Sequence, residues 1–181
     1  TGEDVFFAIP VLGEQITTNS WSKHEKKEMV AAVESLNPLA EDDVNVSRKD
    51  DMLRQLVERV QIHFESAGVV VPNRSTVELY HHYGLERFDE FGAVLVTVIN
   101  REYCKKVIGV FPGQRHPEHF HKVKEETFLC VSGTLIVSLD GEDVTMKPGD
   151  SLTVEKEQRH AFWSPDGAIF EEISSTHIQD D

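Results

Sequence analysis

The chain has 181 residues, 39% of them hydrophobic and 28% charged, which suits one globular domain with a buried core and argues against wholesale disorder. Its formal net charge of −14 repels polyanions, so neither nucleic acid nor an anionic membrane surface is an expected partner. The longest apolar run, AVLVTVI at 93–99, is strand-sized, far short of a bilayer span, and no signal peptide is visible.

The first residue is threonine, and TGEDVFFAIP reads like the interior of something longer; the chain is expected to be a piece of a larger polypeptide. Residues 1–46 carry an apolar patch (VFFAIPVL), then polar residues, then the acidic AEDDV, with no sustained periodicity. They read as an extended appendage ending in a linker. Residues 47–68 differ. Leu53, Leu56, Val57, Val60 and Phe64 recur at steps of three and four, giving a helix with one apolar face. Ser47 is its expected N-cap, Asp50 takes the capping-box position, and Gly68 is its expected stop. Packing on a sheet is the expected role of this helix.

From residue 69 the pattern turns to strands: VVVP, TVELYHHY, GAVLVTVI, YCKKVIGVF, ETFLCVSG, TLIVSLDG, EDVTMKPG, SLTVEK, RHAFWS and GAIFEEISS are short β-prone runs between turn residues. Asp140-Gly141 is a strong hairpin signal, Asn100-Arg101-Glu102 turns another pair, and Pro148-Gly149-Asp150 marks a further turn. YGLERFDEFG has room for one helical turn. Many short strands with little helix between them imply a sandwich or barrel. The two cysteines, Cys104 and Cys130, form no C-x-x-C pair and no disulfide framework, so a reducing cytoplasm is the simpler compartment and Cys130 reads as a buried structural thiol.

The chemistry concentrates in HPEHFHKVKEETF. In a strand, residues two apart share a face, so His119 and His121 stand side by side with Phe120 pointing away. A hairpin over 122–125 would return the Glu126 carboxylate to the same place. His160 stands in a distant strand, RHAFW. Three neutral imidazoles and one carboxylate suit one divalent ion of Mn, Fe, Co, Ni or Zn. Lone histidines are more often surface or core residues; His24, His63 and His177 are read that way, and His116 as a spectator or mouth residue.

These residues complete the first motif of the cupin superfamily, G-x5-H-x-H-x3,4-E-x6-G, with Gly113, His119, His121, Glu126 and Gly133. The second, G-x5-P-x-G-x2-H-x3-N, begins at Gly149 and places His160 at its histidine, but Glu155 replaces the proline, Glu157 the glycine and Ser164 the asparagine. The turn before His160 is therefore expected to be built differently. The resemblance implies a mainly β fold, a double-stranded β-helix (jelly roll), with the helix and the short appendage before it. It also implies a metal site inside the barrel, held by His119, His121, Glu126 and His160, and commonly a homodimer.

Two narrower resemblances follow. HPEHFHKVKEETF is similar to the metal-binding stretch of D-lyxose isomerase-like cupins, including a lysine before the glutamate, here Lys124. The runs ELYHHYGLERF and INREYCKKVIGVFPGQRHPEHFHKVKEETF, with the closing FEEISSTHIQDD, resemble the cupin domain fused behind sialic acid (N-acetylneuraminate) synthase-type enzymes; DVFFAIPVLGEQITTNSWSK resembles part of their antifreeze-like (SAF) region. The domains so expected are residues 1–46 and a cupin unit at 47–181. The synthase barrel itself is absent from this sequence.

The resemblance implies metal-assisted aldose–ketose isomerisation or epimerisation of a sugar in a sialic acid-like pathway. Lys124 is the lysine it points to, either as an acid or base with a strongly lowered pKa or as an electrostatic clamp; a solvated lysine in a charge run is the bland alternative. Glu171 and Glu172 lie on opposite strand faces, so one faces inward; Glu172 is named as the catalytic candidate with that choice open. Lys105 and Lys106 alternate likewise, and Lys106 is named for substrate binding. His82, with His81 and Tyr83, is placed at the mouth as a substrate contact. A non-catalytic sugar-sensing module and an Fe(II) dioxygenase are the competing functions.

Overall fold

Backbone pairing sorts the short β-prone runs into two sheets. The computed structural model describes residues 8–10, 43–72, 75–81 and 83–178. Among these are β1 (Ala8–Pro10), α1 (Asp43–Ser66), β2 (Thr76–His81), a 3₁₀ turn (Leu85–Arg87) running into α2 (Phe88–Phe91), β3 (Gly92–Asn100), β4 (Tyr103–Val110) and β5 (Arg115–His119). β6 (Glu126–Gly133), β7 (Leu135–Leu139), β8 (Glu142–Met146), β9 (Ser151–Val154), β10 (His160–Trp163) and β11 (Ala168–Ser175) follow. One sheet is ordered β1-β2-β3-β4-β11-β6-β9 and the other β5-β10-β7-β8.

The sheets close over an apolar core drawn from both: Val110, Phe128 and Phe170 from the larger, Leu135, Val137 and Phe162 from the smaller. This is the expected mainly β jelly roll. The outer face of the larger sheet is covered by α1, whose Leu56 and Phe64 are buried against Val94, Val96, Val107 and Ile169. Strand β4 is therefore enclosed on both faces, and nearly all of it is buried. Gly109 is part of that fit: a Cβ there would lie 2.7 Å from the Phe64 ring.

Gly68 stops the helix as expected. It takes φ 67°, its N–H donates to the Glu65 carbonyl (3.0 Å), and the Val69 N–H donates to the Phe64 carbonyl (3.0 Å), which satisfies the last turn. The helix start is corrected. It begins at Asp43, so Ser47 lies inside it and is not its N-cap. No glycine or proline interrupts residues 43–46, and the acidic Asp43 suits a helix N-terminus. The helix thus enters the segment read as linker. Most of residues 1–46 lies outside the described residues, but Ala8–Pro10 pairs antiparallel with β2.

Other turns match their residues. Asp140 and Gly141 take φ 51° and 90° between β7 and β8, as a two-residue hairpin requires. VVVP is corrected: residues 69–72 form no strand, and Val69 and Val71 instead pack under α1. The hairpin at residues 122–125 is also corrected. β5 and β6 belong to different sheets, so this turn carries the chain across the barrel. Among the described residues no helix is long and apolar enough to cross a membrane.

Candidate metal centre and barrel interior

Three neighbouring strands of the larger sheet send alternate residues inward. Their registers set Phe170 opposite Ile108 and Cys130, Glu172 opposite Lys106 and Phe128, and Ser174 opposite Cys104 and Glu126. The interior is thus apolar at one end and charged at the other. Glu171 takes the opposite face and pairs with Lys105 at 2.9 Å, which leaves the buried Glu172 and Lys106 as the inward members of their doublets.

The histidines come from the facing sheet. His160 on β10 is the direct cross-strand partner of His119 on β5, and their rings lie 4.1 Å apart. β5 ends at His119, so His121 stands just beyond the strand, yet it remains on the same side as His119 while Phe120 is exposed. One ring nitrogen from each of His119, His121 and His160 falls within a common 4.8 Å. Glu126 reaches them across the barrel, with Oε1 3.5 Å from His121 Nε2 and Oε2 3.2 Å from His160 Nε2. The sheet-to-sheet turn, rather than a hairpin, brings that carboxylate to the imidazoles.

The donor chemistry fits a divalent ion. Nδ1 of His119 lies 3.1 Å from the Pro117 carbonyl, and Nδ1 of His160 lies 3.1 Å from the Gln158 carbonyl. A carbonyl only accepts, so Nδ1 carries the proton in both rings and Nε2 keeps its lone pair. Burial first, and then the neighbouring His160, push His119 down to a pKa of about 3, which keeps it neutral at physiological pH. Burial alone would raise the Glu126 pKa; His160 and Lys124 outweigh it and hold the carboxyl well below its usual range. Among the described residues, Glu126 Oε2 and His160 Nε2 are buried with no hydrogen-bond partner. Such orphaned atoms need an explanation, and a shared cation supplies one.

Beside this cluster, the Lys124 ammonium bridges two carboxylates. It is paired with Glu126 and lies 3.2 Å from Glu172 Oε1. The Ser174 hydroxyl donates to the same Glu172 oxygen at 3.0 Å, and Lys106 Nζ is 3.9 Å from it. Burial works against the Lys124 charge, but Glu172 and Glu126 prevail and raise its pKa above the ordinary lysine value. The lowered pKa that a base role would require is not found in this arrangement. Lys124 is a buried ammonium, the reverse of a solvated lysine.

His82 lies outside the described residues. His116 is buried rather than at the mouth, and it lies outside the group of three histidines. It is stacked between Tyr80 (5.5 Å) and Phe162 (4.5 Å), with its edge on His119 at 4.7 Å. His177, read from sequence as a surface or core residue, stands within the electrostatic reach of Lys106, Lys124, His121 and Glu126. No motif spacing or periodicity marks it.

The second motif's departures are accommodated locally. Glu157, at the glycine position, adopts φ 64°, and its N–H donates to the His121 carbonyl at 2.7 Å. A non-glycine residue thus holds a left-handed conformation here and ties the two motifs together. Ser164, at the asparagine position, is fully buried and donates to the Thr134 carbonyl at 2.7 Å. Because a left-handed residue with a Cβ costs roughly 1–2 kcal/mol, part of which glycine would return as chain entropy, Glu157→Gly should change stability by less than about 1 kcal/mol. The β-branched Glu157→Val should lower it measurably more, and denaturant titration of both variants checks the pair.

Comparison with known proteins agrees with this geometry. The family model for the cupin domain matches residues 107–171. The D-lyxose ketol-isomerase of Cohnella laeviribosi is 30% identical over 153 residues, covering 68% of this chain and 84% of the relative. The D-lyxose/D-mannose isomerase of Thermosediminibacter oceani is 26% identical over 164 residues, covering 74% and 90%. Among solved structures, KdgF from Halomonas sp. aligns with a TM-score of 0.45 at 20% identity, covering 49% of this chain and 82% of that one. The chain belongs to the cupin family that includes the Cohnella laeviribosi D-lyxose ketol-isomerase.

Proposed function

We propose that the chain is a metal-dependent aldose–ketose isomerase acting on a small sugar, with His119, His121, Glu126 and His160 as the ligands. The observation that carries this reading is the buried Lys124, which touches both the ligand Glu126 and the carboxylate of Glu172. A module that only sensed sugar would need no acid–base pair enclosed beside its metal, and an iron oxygenase would need no lysine there. The names of the two isomerase relatives support the same class.

When bound, a divalent ion supplies Lewis-acid polarisation of the sugar carbonyl and its neighbouring hydroxyl. Glu172 takes the proton from C2, exchanges it with solvent, and delivers a proton to C1. A proton passes from O2 to O1, so that aldose becomes ketose through an enediol with no net change of protons, while the Lys124 ammonium stays charged and hydrogen-bonds these oxygens. Its charge also offsets the negative charge that develops on them. Lys106, buried on the far side of Glu172, holds that carboxylate and the sugar in place.

The proposal extends to context. The resemblance of several runs to synthase-type proteins supports a sialic acid-like pathway, with residues 1–46 as an appendage from a larger synthase-type chain and 47–181 as the cupin unit. The cysteine pattern supports a cytoplasmic setting and the cupin resemblance a homodimer. The test is a sugar panel assayed for ketose on protein of measured metal content. Ketose should form, stop on chelation and return with added Mn²⁺ or Co²⁺. A panel with no product at full metal occupancy would leave only a binding role.

A further inference from the structure

We infer that His177 is a substrate-contacting residue of this site, its imidazole hydrogen-bonding a sugar hydroxyl, and that Asn100 is the positioning residue that holds it there. This rests on the isomerase reading only for the identity of the ligand class. The chain leaves β11 beside the metal motif: Ser174 faces Glu126, and the Ser175 N–H donates to the Glu125 carbonyl at 3.2 Å. It then folds back over the β3–β4 turn. There the Thr176 hydroxyl donates to the Arg101 carbonyl at 2.6 Å. Asn100 closes a two-way clamp, its Nδ2 donating to the His177 carbonyl (3.1 Å) and its Oδ1 accepting from the His177 N–H (3.0 Å).

Three hydrogen bonds on two consecutive residues just past β11, two of them on the His177 backbone, hold this segment in place. They fix a ring whose Nδ1 is buried and has no hydrogen-bond partner among the described residues. Leaving a buried polar atom unsatisfied costs free energy that a bound hydroxyl would return. Burial, with Lys106 and Lys124 nearby, holds the imidazole neutral at a pKa of about 4, so the ring offers one donor and one acceptor, the pair a sugar hydroxyl matches. A charged ligand would be met better by a cationic ring. His81, whose ring nitrogens are also buried and unpartnered among the described residues, ends β2 on the strand face that carries Leu79, which packs under α1, so it has no comparable access to the barrel.

The test is calorimetric binding of D-lyxose and of D-mannose to the metal-loaded full chain, with metal content measured on each preparation. His177→Ala should weaken sugar binding about tenfold, the scale of one lost buried hydrogen bond, with metal content and thermal midpoint unchanged. His177→Gln, which keeps a neutral donor and acceptor, should recover most of that affinity. Asn100→Ala should fall between the two. Wild-type affinity in His177→Ala at full metal content overturns the inference, as does equal weakening by Ala and Gln. Binding is read here without turnover. A wild-type chain that binds sugar but forms no ketose defeats the isomerase reading while leaving His177 its role, and a chain that binds neither sugar overturns both.

Discussion

His121→Ala is expected to leave the purified protein with less than about a tenth of the wild-type metal after desalting. Sites of four ligands hold a structural ion with roughly 10–16 kcal/mol, so losing one imidazole removes about 3 kcal/mol, a factor above 100 in affinity. His121 suits the test because its side chain is 13% exposed, whereas His160 is 1% exposed and its removal would also open a cavity. Elemental analysis reads the result, and full occupancy in the variant would remove His121 from the ligand set. The metal-free variant should keep the thermal midpoint of metal-free wild-type protein, which separates lost ligation from lost fold.

Lys124→Ala should have the opposite profile: metal retained, turnover lost. Lys124 is no ligand, and removing it frees Glu126 from an ion pair, so metal content should hold or rise. Without the ammonium, Glu126 and Glu172 are two carboxylates buried at 3% and 4% exposure with no shared cation. Breaking a buried pair in this way typically costs about 3–5 kcal/mol, visible as a lower thermal midpoint of the metal-free protein. Loss of a hydrogen-bond donor aimed at the developing negative charge should lower turnover by roughly 10²–10³-fold. Metal loading should recover much of the stability, because Glu126 gains a cation, but none of the turnover. Unchanged turnover would reduce Lys124 to a structural counter-ion.

The jelly roll was legible because alternation and turn chemistry agree along the chain. Asp140-Gly141 and Gly149 sit where the backbone takes positive φ, and the spacing of Gly113, His119, His121, Glu126 and Gly133 pointed to one cluster. What sequence could not give was which sheet each strand would join. Reading residues 122–125 as a hairpin put β5 and β6 side by side, whereas the site depends on their facing each other across the barrel. The doublets Lys105-Lys106 and Glu171-Glu172 were ambiguous for a related reason: alternation says that one member faces inward, and only the register against neighbouring strands chooses it. Lys124 shows a further limit. Its charge is set by Glu172, 48 residues away in sequence. His177 was missed because its placement depends on the Asn100 side chain, a contact between residues 77 apart that follows no period. Glu157 is the converse, a departure from the motif's glycine that still holds a left-handed backbone.

The claim that this barrel isomerises sugars through proton transfer at a metal-supported site is tested most directly by proton NMR in D₂O. The metal-loaded chain would be given D-lyxose and D-mannose in separate samples. The account predicts that ketose accumulates from at least one of them with solvent deuterium at C1, and that Glu172→Gln at equal metal content produces neither signal. A fully metal-loaded wild-type chain that leaves both sugars unchanged and unlabelled would contradict it.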